Sequence, residues 1–121
     1  MSTQFTYEPL SLDHTDELAA LLLNEPVYRH IGGEPPTLER FRLGMARALA
    51  GPPAHRLGET WINFAVRENA SDRLVGRLEA TIHTGVAEVA FLYGPQHWGN
   101  GFATQGLRWL HTFLLVSNCV N

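Results

Sequence analysis

Apolar positions along this chain switch between two periods. Near the N-terminus Phe5, Tyr7, Leu10 and Leu12 give a short alternation of period two, which predicts a first strand. Leu18, Leu21 and Leu22 then recur at helical spacing. Asp13 or Thr15 suits the N-cap of that helix, and Asp16 and Glu17 fall in its first turn, where the helix dipole favours negative charge. Asn24 and Pro26 end it, and Glu25 to Pro36 reads as a loop broken by Gly32-Gly33 and Pro35-Pro36. Thr37 caps a second helix with Glu39 in its first turn and Leu38, Phe41, Met45 and Leu49 on one stripe. Gly51-Pro52-Pro53 stops it.

Period two then returns. Trp61 to Val66 is apolar and rich in strand formers, and Asn69-Ala70-Ser71-Asp72 is a turn. Leu74 to His83 alternates, with Arg77, Glu79, Thr81 and His83 on one face and Leu78, Ala80 and Ile82 on the other. Gly85 turns the chain into a further strand, Val86 to Tyr93, ended by Gly94-Pro95. Two consecutive hairpins imply an antiparallel meander. Gly101 or Phe102 opens a last helix with Leu107, Leu110, Phe113 and Leu114 as its apolar face. The order strand, helix, helix, three strands, helix predicts an α+β fold in one domain spanning 1–121.

Composition narrows the function classes. With 45% apolar and 17% charged residues among 121, the chain suits an ordinary globular domain with one modest core. The net charge of −3 and the lack of any basic run argue against nucleic acid. No apolar run approaches the ~18 residues of a membrane span, and the start lacks the basic and apolar regions of a signal peptide. One cysteine, Cys119, excludes an internal disulfide framework and suits a reducing cytoplasm. His14, His30, His55, His97 and His111 are scattered without metal-ligand spacing, so no metal is expected. No Gly-x-Ser-x-Gly elbow exists, and Cys119 has no catalytic signature.

The informative segment is Trp98-Gly99-Asn100-Gly101-Phe102-Ala103-Thr104, a glycine turn between a strand and a helix. The first amides of a helix lack internal partners, and its dipole is positive there, so this turn suits a pyrophosphate or similar anion. The same glycines also suit an ordinary strand-to-helix connection. It is not a P-loop, because Phe102-Ala103 stands where Lys-Ser/Thr is needed. Nor is it a Rossmann turn, since Thr104 replaces the third small residue and a meander offers no parallel unit.

Together with Ala87-Glu88-Val89-Ala90-Phe91-Leu92-Tyr93, this turn resembles motif A of the GNAT superfamily of N-acetyltransferases, in the ribosomal-protein N-acetyltransferase (RimJ/RimL-like) branch. Gly101 and Ala103 take the last two fixed places of Gln/Arg-x-x-Gly-x-Gly/Ala, with Trp98 in the first; Gln96, Gly99 and Gly101 fit a second register. The resemblance implies a GNAT-like fold with a mainly antiparallel sheet. It implies acetyl-CoA as cosubstrate, held by backbone groups of Phe91, Leu92 and Tyr93 and by the amides of Gly99, Asn100, Gly101, Phe102, Ala103 and Thr104. It also implies direct attack by a primary amine, a small molecule or a protein N-terminus. A neutral amine requires a base. Glu88 is the first candidate, because Ala-Glu-x-x-Phe/Tyr recurs in this branch; Glu79 and His83 follow. A strand carboxylate or His is also often merely solvated or paired. Tyr28, Arg29 and His30 lie where the family lines its acceptor pocket. Trp61, Trp98 and Trp109 read as packing residues, with Trp98 also placed to cover the cofactor.

The family pattern continues beyond the motif-A helix with further strands and a Tyr that protonates the thiolate, whereas this sequence stops at Asn121 with no tyrosine after Tyr93. The expectation is a C-terminally incomplete domain with the cofactor strand at an open edge. Three accounts fit: a truncated acetyltransferase, a homodimer in which a partner chain supplies the missing strands, or a non-catalytic CoA-binding or interaction module. A general phosphate binder is a further reading.

Overall fold

The alternating segments assemble into one antiparallel sheet in a computed structural model that describes residues 3–117. Its strands β1 (Phe5–Pro9), β2 (Glu59–Glu68), β3 (Arg73–His83) and β4 (Val86–Tyr93) lie side by side in chain order. Thr84 and Gly85, with φ of 51° and 78°, join β3 to β4; positive φ at both positions matches the right-handed twist of a two-residue hairpin. Val66 pairs with Gly76 but Arg67 pairs with Leu74, so Val75 is the extra residue of a β-bulge. Among the described residues, β4 has a neighbour on one side only.

One face of the sheet is dry. Leu78, Ala80 and Ile82 of β3 meet Phe5, Phe64, Val66 and Tyr93 beneath helix α4 (Phe102–Val116), which contributes Phe102, Leu110 and Leu114. The approach is close because Gly106 has no side chain: a Cβ there would lie 2.5 Å from the Tyr93 hydroxyl. That hydroxyl is buried and has no hydrogen-bond partner among the described residues.

The opposite face carries helices α1 (Thr15–Leu22), α2 (Glu25–Ile31) and α3 (Leu38–Ala50). Leu18, Leu22, Phe41 and Met45 close over Ala65 and Leu74. Full burial of each such side chain contributes roughly 1.5–3 kcal/mol. Thr37 caps α3 as the sequence predicts, its hydroxyl accepting from the Arg40 N–H.

Three expectations are corrected. The segment Glu25 to Pro36 is not all loop, because Glu25–Ile31 is helical. The Asn24 side chain accepts from the Val27 N–H, and Pro26 stands in the first turn, where its missing N–H costs nothing. The residues that end α1 therefore also begin α2. The first strand stops at Pro9, and Leu12 is exposed in a 3-10 turn, Leu12–His14, that precedes α1. Ser11 caps that turn, so Asp13 and Thr15 lie inside the helical run and cap nothing.

Candidate functional site

From Tyr93 the chain passes through Gly94 and a 3-10 turn, Pro95–His97, into the glycine segment. Gly99 and Gly101 have φ of 81° and 77°, a region that disfavours any side chain. Gly101 is the N-cap of α4 and has no side chain to cap it. The first helical bond is donated by the Gln105 N–H to the Gly101 carbonyl at 3.0 Å. The amides of Phe102, Ala103 and Thr104 therefore face outward at the positive end of a 15-residue helix. They open on a cavity of about 340 Å³ lined by Tyr93, His97, Trp98, Gly99, Gly101, Phe102, Ala103 and Thr104. Asn100 does not line it; its side-chain amide donates to the His97 carbonyl at 3.4 Å.

The edge of β4 leads into this mouth. The Gly94 N–H donates to the Val75 carbonyl at 3.0 Å, so by the alternation of an antiparallel ladder Leu92 also turns its backbone groups toward β3. Phe91 and Tyr93 then face the free edge. The Tyr93 carbonyl is taken by the Trp98 indole N–H at 2.9 Å. Of the three residues named for a pantetheine arm, only Phe91 thus keeps both backbone groups toward the edge.

On the face away from α4, a cleft of about 450 Å³ runs between α3 and the sheet. Tyr28, Met45, Trp61, Arg77, Glu79 and Leu92 are among its walls. A second hollow of about 330 Å³, under Ile31, shares Arg77, Glu79 and Leu92 with it and reaches Ala90 and Phe91. Burial pushes the Arg77 guanidinium below its ordinary value, against the pull of Glu79 and Tyr28. Burial likewise raises the Tyr28 hydroxyl, with Arg77 opposing.

The acetyltransferase (GNAT) domain family model matches residues 4–117. The chain belongs to this family. No curated protein sequence matches it. Among solved structures it is similar to a GNAT-family acetyltransferase from Bacillus anthracis, with TM-score 0.77 and 12% identity over 99% of this chain and 68% of that one. It is also similar to a PaiA N-acetyltransferase from Thermoplasma acidophilum in complex with coenzyme A, with TM-score 0.64 and 15% identity over 98% of this chain and 76% of that one. At these identities the likeness is one of fold. The α+β architecture, with its four-stranded antiparallel sheet, is that of the GNAT family, whose members use acetyl-CoA.

The other named residues of this GNAT domain divide among its surfaces. Glu79 stands where the two hollows meet, its carboxylate 3.6 Å from the Arg77 guanidinium. Glu88 and His83 lie further down the hairpin in a hollow of about 500 Å³ with Arg56 and Glu59, which shares Trp61 and Thr81 with the main cleft but not Leu92. Tyr28 enters the main cleft. His30 instead packs edge-on against Trp98, ring centroids 4.8 Å apart, and Arg29 turns outward to pair with Glu25. Trp98 is 41% exposed and so does not fill the core as a packing residue would. Trp109 does pack, stacked on Tyr7 at 4.3 Å, and Trp61 donates to Glu59. Cys119 lies outside the described residues. Among those residues no His, Cys, Asp and Glu cluster could hold a metal ion, and no helix is long and apolar enough to cross a membrane.

Sequence reasoning placed Arg77 on the same strand face as Glu79 but gave it no role. Its signal was there. Asn63 interrupts an apolar run one strand away, and its side-chain oxygen accepts from Arg77 at 3.3 Å.

Proposed function

We propose that this GNAT domain transfers the acetyl group of acetyl-CoA to a primary amine. The observation that carries the reading is the uncapped mouth of α4, where Gly99 and Gly101 leave three outward amides open on a cavity. A pyrophosphate fits such a mouth, because it accepts several N–H bonds and answers the helix dipole. Phe91 supplies backbone groups on the adjoining strand edge for an amide-bearing arm. Acetyl-CoA contributes an activated thioester; transfer forms the C–N bond and breaks the C–S bond.

The domain's own part is to bring in the amine and free its lone pair. We assign the base to Glu79 ahead of Glu88 and His83, since Glu79 alone of the three lines both hollows that meet at Leu92. Its carboxylate takes one proton from the ammonium. A second proton leaves the nitrogen as the amide forms, and the departing thiolate takes one up.

Calorimetric titration with coenzyme A tests the first half of this reading. Binding is expected, and Gly101→Val should weaken it at least tenfold, because a branched side chain strains φ 77° and stands over the amides. Equal binding by the variant would remove the mouth from the site. Release of free thiol in the presence of amines tests the second half. Binding without release for any amine would leave a CoA-binding module.

A further inference from the structure

We propose that the amine acceptor carries its own carboxylate next to the amine, with an apolar body, in the manner of a free amino acid. The proposal rests on the acetyl-transfer reading for the fate of the amine, but not for the recognition of the acid.

The main cleft is positive in a chain whose net charge is −3. Its charged walls are Arg40, Arg47, Arg77 and the single acid Glu79. Arg40 and Arg47 reach it from α3 and have no ion-pair partner among the described residues. Arg77 is the deeper group, its side chain 14% exposed. Its contacts are poor for a buried cation: Asn63 at 3.3 Å, Glu79 at 3.6 Å and the Met45 sulfur at 3.7 Å. A guanidinium has five donors, and a buried one normally meets a carboxylate in the paired geometry of two parallel bonds.

The same protein shows what that geometry looks like when it is fulfilled. Arg67 donates to both oxygens of Glu8, at 2.6 and 3.1 Å, and to the Asp72 carbonyl at 3.0 Å. Among the described residues Arg77 meets no acid in that paired geometry, and Glu79 approaches it only to 3.6 Å. A ligand carboxylate in the cleft supplies one. Glu79, 3.6 Å from Arg77 on the same strand face, then stands beside an ammonium held on the carbon that bears that carboxylate. The acid end is thus read by Arg77 and the amine is delivered to Glu79, at the junction with the hollow that reaches Phe91. Phe41, Met45 and Trp61 give the cleft apolar walls beside Asn63 and Thr81. A polyamine or a peptide N-terminus offers no acid at that spacing, and a second cation meets the arginines.

The test is a matched pair of ligands, phenylalanine against phenethylamine, with methionine against 3-methylthiopropylamine as a second pair. Each is titrated calorimetrically into the full chain, with and without coenzyme A. The acids should bind at least tenfold tighter than the amines, and Arg77→Gln should erase that difference. Equal binding of acid and amine, tighter binding of the amine, absence of binding by either acid at millimolar concentration, or an unchanged preference in Arg77→Gln would each overturn the proposal. If Arg77→Gln does not fold, the exposed pair Arg40→Ser with Arg47→Ser should reduce the preference, and a full preference there would count against it. Titration of coenzyme A alone separates the two readings. An acid preference without coenzyme A binding sinks acetyl transfer only, and coenzyme A binding without an acid preference sinks this proposal only.

Discussion

The two faces of one sheet solve different problems. Beneath α4 the strands present Phe64, Val66, Leu78, Ala80 and Ile82, and the helix settles onto them with no hydrogen-bond partner for the Tyr93 hydroxyl among the described residues. Beneath α1 and α3 the same strands present Ala65 and Leu74 at one end and Asn63, Arg77, Glu79 and Thr81 at the other. Side chains on adjacent positions of β3 are separated only by the alternation of a strand, yet one set holds the fold together and the other lines a cleft. A small domain with one modest core can keep both functions apart in this way, because a change on one face leaves the contacts of the other in place.

The sharpest attempt to break this contrast is a pair of substitutions, one per face. Leu110 is 1% exposed beneath the sheet, and Leu110→Ala should cost about 2–5 kcal/mol in urea unfolding. Arg77→Met should cost far less, or even stabilise, because it removes a buried cation with weak partners. Similar losses for both would mean that the cleft face bears the fold as much as the dry one.

Next in size is the close contact at Gly106. An alanine there helps the helix by up to about 1 kcal/mol but meets the Tyr93 hydroxyl and Leu78, an overpacking cost of about 1–3 kcal/mol. Gly106→Ala should therefore lower the melting temperature. Tyr93→Phe should raise it, since an unpaired buried hydroxyl is removed. In the Tyr93→Phe background Gly106→Ala should cost less, and strict additivity in this double-mutant cycle would show that the helix avoids the hydroxyl some other way.

The smallest effect concerns acid. Hydrogen bonds from Arg67, and then from His14, hold the Glu8 carboxyl below its ordinary 4.5, burial opposing them. A lowered folded-state value means stabilisation that is full above pH 4.5 and is lost as pH falls through that lower value. The Glu8→Gln variant should be less stable at neutral pH and should lose less between pH 5 and pH 3. Parallel profiles for the two proteins would remove the pair from the account.

Most of this architecture was legible from period and punctuation. The β2–β3–β4 meander, the glycine mouth of α4 and the Phe41 and Met45 half of the α3 stripe each had a local cause that acts within a few residues, whereas Leu38 and Leu49, expected on the same stripe, stand exposed at the two ends of the helix. What misled was a double signal. Asn24-Glu25-Pro26 reads as a stop, yet the Asn24 oxygen caps α2 while its amide donates back to the Leu21 carbonyl at the end of α1. One side chain serves two helices, and a reading that lets a residue end only one element misses the second. Arg77 was missed for another reason. Its burial comes from α2 and α3 closing over the strand, and such contacts have no periodicity to betray them. The division of the expected pantetheine contacts had the same origin, since nothing in the sequence indicates that Trp98 reaches back to the Tyr93 carbonyl.

The three tryptophans are distributed one to each of these environments. Trp109 stacks on Tyr7 beneath the sheet, Trp61 walls the arginine-lined cleft, and Trp98 stands half open at the helix mouth with its ring against His30. The molecule therefore carries its own optical probes. Emission from Trp98 should be the reddest and the most readily quenched by iodide, and Trp109 should be shielded. Replacing two of the three indoles by phenylalanine leaves a single indole, excited at the red edge where the three tyrosines do not absorb, that reports which surface a ligand has reached with no label attached.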